Sequence, residues 1–256
     1  METKRDVGVA SAWRGLFGNE YTRFLSSAIN SALHTVPIDV KKHGRYLTYL
    51  HGHRALQTQT LLEENPVDKS LRLISIYPRF PAHFKSLLFT VKTVEEWSNQ
   101  VEAVFTGTIL DGRNFSFFCQ NYLDYKGKTP VNSRLEICIS VISLNARILG
   151  GGGDKGTPQE GQTFYLYKMR YLNPSHRDQS GPEFCEFFSQ AQGFAKITLL
   201  NTDIYRIQGV ITDDNYVDYD YYIYTHPSLI RNPELLRLGD PVTGIGWTQA
   251  EIVGVL

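Results

Sequence analysis

The chain has 256 residues, 42% of them hydrophobic and 20% charged, enough to bury the core of one large β domain or two domains of ordinary size. Its 26 Lys and Arg balance 26 Asp and Glu, and the pI near 7.1 excludes a surface built wholly for polyanions. Fifteen Tyr and 14 Phe against 2 Met favour sheet, so the expected class is α+β and predominantly β.

The charge is uneven along the chain. Residues 1–60 carry eight basic side chains against four acidic ones, and residues 193–256 carry four against eight. METKRDVGVASAWRGLFGNE at the N-terminus lacks the apolar run of about 7–15 residues of a signal peptide, and no stretch reaches the roughly 18 apolar residues of a membrane span. A cytoplasmic location and no membrane contact are therefore expected. Cys119, Cys138 and Cys185 lie far apart with no C-x-x-C pair, which reads as reduced core residues.

In chain order, Asn19 to Val36 reads as an amphipathic helix, with Tyr21, Leu25, Ala28, Ala32 and Val36 along one side and Pro37 ending it. GRYLTYLH alternates like a strand; the following ALQTQTLLEEN fits strand or helix. From Leu71 the period becomes two: LRLISIY and SLLFTVKTV are strands separated by Pro78 and Pro81. VEAVFTGTIL and NFSFF flank Asp111-Gly112, a pair suited to a tight turn, and should form an antiparallel hairpin. After a connector at residues 121–128, RLEICISVISLNARIL is a long strand with Leu135, Ile137 and Ile139 on one face.

Gly150 to Gly153 and the following DKGTPQEG have nothing to bury and read as a link. The run lacks the Gly-Lys-Ser/Thr of a phosphate loop, and no cofactor is expected. Beyond it GFAKITLL, DIYRIQGVI and YVDYDYYIYTH form a second three-strand meander, and PSLIRNPELLRL leads to GDPVTGIGWTQAEIV. Hairpin, connector, Pro-Val pair and final strand occur in both halves, which suggests a duplication.

A three-strand meander, a helical or irregular connector and a closing strand is the element order of the OB-fold, a five-stranded Greek-key barrel, and residues 86–149 and 184–256 each resemble such a unit. DGRNFSFF and GDPVTGIGW are also similar to stretches of uncharacterised bacterial proteins. The resemblance implies a mixed N-terminal region (1–85), two small OB-like barrels and a linker at 150–183. It also implies a ligand on the barrel faces and rim loops, whether nucleic acid, oligosaccharide or protein.

Three groups of residues are candidate contacts. His51, His53 and Arg54, with Lys41, Lys42 and Arg45 nearby, form a basic patch suited to phosphate, while a metal site lacks a third ligand at a recognisable distance. As a strand, Tyr216, Asp218, Asp220, Tyr222 and Tyr224 share one face and Val217, Tyr219, Tyr221 and Ile223 the other. The second face suits the core. The first either meets a partner, its aspartates favouring a protein with basic residues over a phosphate backbone, or packs against the N-terminal region. Phe115 and Phe117 are either core or, if exposed, stacking platforms for bases. The expected function is a non-catalytic binding or adaptor protein with a protein partner. Its rivals are a single-stranded nucleic-acid binder and an enzyme using His43, His51 or His53.

Overall fold

The computed structural model describes residues 6–53, 56–81, 85–109, 112–149, 170–174, 181, 183–199, 202–213 and 215–256. The glycine-rich link and the turn residues Asp111, Asn201 and Asp214 lie outside them. The chain opens with two helices, α1 (Asp6–Phe17) and α2 (Tyr21–His34), joined by a 3-10 turn at Gly18–Glu20. α2 matches the expected helix, although Val36 lies beyond its end and is 91% exposed. α1 was not expected; its Trp13, Leu16 and Phe17 are fully buried.

Four strands follow: β1 (Asp39–His43), β2 (Tyr46–His53), β3 (Leu56–Glu64) and β4 (Leu71–Arg79), antiparallel in that order. The segment that fitted either helix or strand is β3. A register shift separates Leu61 from Leu62, and both are buried, because the sheet is covered on both faces.

The remaining strands belong to one eleven-stranded sheet. They are β5 (Leu87–Glu96), β6 (Ala103–Ile109), β7 (Arg113–Cys119), β8 (Arg134–Ile148), β9 (Tyr171–Pro174) and β10 (Phe184–Gln190). β11 (Gly193–Leu199), β12 (Thr202–Thr212), β13 (Asp218–Thr225), β14 (Ile230–Arg231) and β15 (Pro241–Val255) complete it. A short helix, α3 (Tyr122–Tyr125), lies between β7 and β8. The class is therefore α+β with strand predominant. Both meanders form as expected, with β6 against β7 and β11 against β12 against β13. Among the described residues no helix is long and apolar enough to cross a membrane.

The two long strands do double duty. β8 pairs antiparallel with β5 through its first residues and parallel with β13 at Ser140–Ile142. β15 does the same in the other half, antiparallel with β10 through its first residues and parallel with β7 at Gln249–Ala250. β8 and β15 also pair with each other along their length. The pairings β5-β6-β7-β15-β8 close on themselves as a ring. In the other half β10, β15, β8, β13 and β12 follow one another, and β10 meets β12 through Ser189, whose hydroxyl donates to the Val210 carbonyl (3.0 Å) and accepts from the Val210 amide (2.7 Å). A cut between residues 149 and 184 thus leaves each half without a strand that the other half supplies.

The interior of this sheet is one apolar cluster, with Phe89, Phe105, Phe117 and Ile137 in the first half and Ile207, Ile211, Tyr221 and Ile223 in the second. A second cluster joins the N-terminal region to the outer faces: Trp13, Phe17, Tyr77 and Phe80 against Phe118, Ile142, Tyr224 and Trp247. α1 comes so close to β8 that a Cβ on Gly15 would stand 2.5 Å from the Ile142 side chain and 3.0 Å from the Ser143 carbonyl oxygen, so only glycine fits.

Candidate functional site

The described part of the basic N-terminal group comes together on the small sheet, where Lys41, Lys42 and Arg45 each meet a carboxylate. Lys41 Nζ is 3.0 Å from Asp124 Oδ2 and His43 Nε2 3.4 Å from Asp124 Oδ1. Lys42 pairs with Glu64 at 2.8 Å, and Arg45 with Glu63 at 3.0 Å. The Lys42 hydrogen bond holds Glu64 below the usual carboxylate range, and that of Arg72 does the same for Glu63. The expected phosphate-contacting patch is therefore a charge-compensated surface.

His51 is 6% exposed, faces Thr35 at the end of α2 with Nδ1 3.1 Å from the hydroxyl, and leaves Nε2 without a hydrogen bond. Burial pushes its pKa below 6.5. Strand alternation puts His43 and His51 on opposite faces of the sheet, so they share no site. His53 pairs through its backbone with Leu56, and Arg54 lies outside the described residues. Among the described residues no three His, Cys, Asp or Glu side chains gather as metal ligands.

Phe115 and Phe117 are core residues, 1% and 0% exposed, and Phe117 lies 5.0 Å from the Phe89 ring and 5.4 Å from that of Phe105. Phe118, on the opposite face of β7, is equally buried against Tyr77, Trp97 and Trp247. Of the two readings of this hairpin, core or stacking platform, the core one holds: Phe115 and Phe117 are inside, and Tyr77, Trp97 and Trp247 close over the outer side.

The tyrosine strand divides. Tyr221 and Ile223 face the core as expected. On the other face Tyr224 is fully buried and stacks on Phe80 with ring centroids 3.8 Å apart, and burial pushes its phenol pKa up. Tyr222 is half-buried beneath the Arg206 guanidinium, 4.7 Å from the ring. Asp220 accepts from Gln208, and Asp218 accepts from the Thr212 hydroxyl (2.6 Å) and pairs with Arg170 (3.3 Å). Of the two outcomes weighed for this face, Tyr224 takes the second and packs on the N-terminal region, which removes it from the candidate contacts.

What stays exposed is the turn between β12 and β13. Tyr216 is 65% and Val217 39% exposed, and Tyr216 adopts φ +62°, in the left-handed region. Asp213 holds this geometry: its carboxylate accepts from the Asn215 and Val217 amides (2.9 and 2.8 Å), and its carbonyl from the Tyr216 amide (3.0 Å). The turn therefore offers one large aromatic side chain on a preorganised backbone, flanked by Asp213 and Asp218.

The structure also assembles a concavity that no local sequence signal marks, with Arg147 and Arg231 on its wall. The two arginines are far apart in the chain and meet only through the parallel pairing of β14 with β8. Buried Cys119 and Cys185 are raised by desolvation, Cys185 to about 12, which is the opposite of an activated nucleophile. No protein-family model matches the chain, and no curated protein matches it.

Proposed function

We propose that the chain is a non-catalytic binding protein, built on two OB-like barrels that share their long strands, and that it engages another protein through the β12–β13 turn. The observation that carries this reading is Tyr216, an exposed aromatic in a turn held by Asp213. Rigid aromatic side chains supply large contact area at small entropic cost, and such residues dominate interface energetics. Asp213 and Asp218 are engaged within the protein, so Tyr216 itself is the anchor and the matching surface is an apolar pocket on the partner. The element order supports the barrel reading: three-strand meander, short helix, closing strand, and a ring of pairings in the first half. The protein-partner reading is preferred to the nucleic-acid one because Lys41, Lys42 and Arg45 face carboxylates and Phe115 and Phe117 are core.

A photocrosslinking side chain at position 216, with another at exposed Lys128 as reference, tests the reading. A discrete protein adduct specific to position 216, followed by binding of that purified protein to wild-type chain and at least tenfold weaker binding to Tyr216→Ala, is expected. Equal affinity for both chains overturns it. So does tight, steeply salt-dependent binding of labelled oligothymidylate at this turn.

A further inference from the structure

The outer faces of β14, β8, β15, β10 and β9 form one surface of the second half. Arg231 of β14 is the register partner of Arg147 of β8, and Arg147 is that of Thr243 on β15. In the next row Asn145 stands opposite Ile245, and Ile245 opposite Glu186 of β10. The residues between these rows, Ile230, Ala146, Phe187 and Leu172, are buried in the core, so alternation turns the polar set outward. A bulge at Ile245/Gly246 adds local twist. The result is a concavity of about 290 Å³ lined by Asn145, Arg147, Tyr171, Glu186, Arg231 and Thr243.

Placing two guanidinium groups on register partners is unfavourable, because like charges directly opposite in a sheet repel. Lys41, Lys42, Arg45, Arg72, Arg79, Lys126 and Arg170 each face a carboxylate, whereas this pair of neighbouring guanidiniums does not. Among the described residues Arg147 and Arg231 have neither an ion pair nor a hydrogen bond to a protein group. The Thr243 hydroxyl already donates to the Phe187 carbonyl (3.0 Å), so the donors left to a ligand are the two guanidiniums, the Asn145 amide and the Tyr171 hydroxyl.

We propose that this concavity is a binding site for an oxyanion of the phosphate type. Arg147 and Arg231 grip the phosphoryl oxygens through forked, charge-assisted hydrogen bonds, and Asn145 completes the donor set. Glu186 repels a bare polyanion and favours a ligand with a hydroxyl or amine next to its phosphate. The volume, at the small end of ligand pockets, suits a compact phosphomonoester or diphosphate. The site shares no residue with the Tyr216 turn, so it stands or falls apart from the protein-partner reading.

The test is calorimetric titration of the full chain with inorganic pyrophosphate at low salt. The expected result is measurable binding that weakens about tenfold or more in Arg147→Gln or Arg231→Gln and disappears in the double variant. Glu186→Gln should bind several-fold more tightly. Both arginines are exposed, so circular dichroism should be unchanged; pyrophosphate should raise the melting temperature of wild type and not of the double variant. Absence of binding by both readouts at millimolar pyrophosphate, or equal binding by the double variant, overturns the site. Labelled oligothymidylate separates the phosphate sources. Arginine-dependent binding of the oligonucleotide that pyrophosphate cannot displace would overturn the small-ligand assignment, and displacement by pyrophosphate supports it.

Discussion

β7 and β13 hold corresponding places in the two halves, each the last strand of a three-strand meander and each paired parallel with a long strand, β15 or β8. Both alternate aromatic residues. In β7 the inward Phe115 and Phe117 and the outward Phe118 are all buried, because Tyr77 and Trp97 close over the outer side. In β13 Tyr221 and Ile223 are inward and buried, but on the outer side the cover ends at Tyr224 beneath Phe80, leaving Tyr222 half-buried and the turn at Tyr216 open. Two similar strands thus become core and surface according to how far the N-terminal region reaches across them. Alternation states which side chains share a face; what meets that face is decided elsewhere.

The largest expected effects lie where the cover is complete. Phe118→Ala should destabilise by about 3–5 kcal/mol, measured by urea unfolding, whereas Tyr222→Ala should cost only about 1–2 kcal/mol; equal losses would break the comparison. The cover is pinned by Arg79 of β4, which pairs with Glu251 of β15, the two side chains being 8% and 15% exposed. Arg79→Ala removes this ion pair, and the Arg79 hydrogen bond to Gln59, from a largely dry site and should also cost about 3–5 kcal/mol.

Smaller effects sharpen the contrast. Ser189→Ala removes the two hydrogen bonds that join β10 to β12 and should cost about 1–3 kcal/mol, with amide exchange quickening in the second half and not in β5 to β7. His51, held neutral under α2 by burial, binds a proton less readily when folded than when unfolded. Its penalty is absent well above pH 6.5 and grows as the pH falls through that value, so stability should decline on acidification. Half-buried His226 acts with the same sign, and His51→Gln should therefore flatten the slope between neutral and mildly acidic pH without abolishing it. Least of all, Tyr216→Gly should leave stability within about 1 kcal/mol, since glycine takes a positive φ without strain, while removing the aromatic contact.

Much of the architecture is written in local pattern. Period-two runs after Leu71 locate the strands, and both meanders pair where their turn residues indicate. Apolar periodicity locates α2. The candidate site was far less legible. Lys41, Lys42 and Arg45 form a basic run in sequence and a neutralised surface in space, since Asp124, Glu64 and Glu63 arrive from other parts of the fold. Arg147 and Arg231 carry no local signal at all.

By itself, then, the order of residues determined the strand-rich class, the meanders and the sidedness of each strand, because these follow from backbone geometry and the separation of apolar from polar side chains over a few residues. Only the tertiary structure decided that β8 and β15 would each serve both halves, that the N-terminal region would bury Phe118 and Tyr224, and that two distant arginines would become neighbours. Those outcomes depend on long-range strand pairing and on competition among faces for apolar cover, and both are properties of the whole chain.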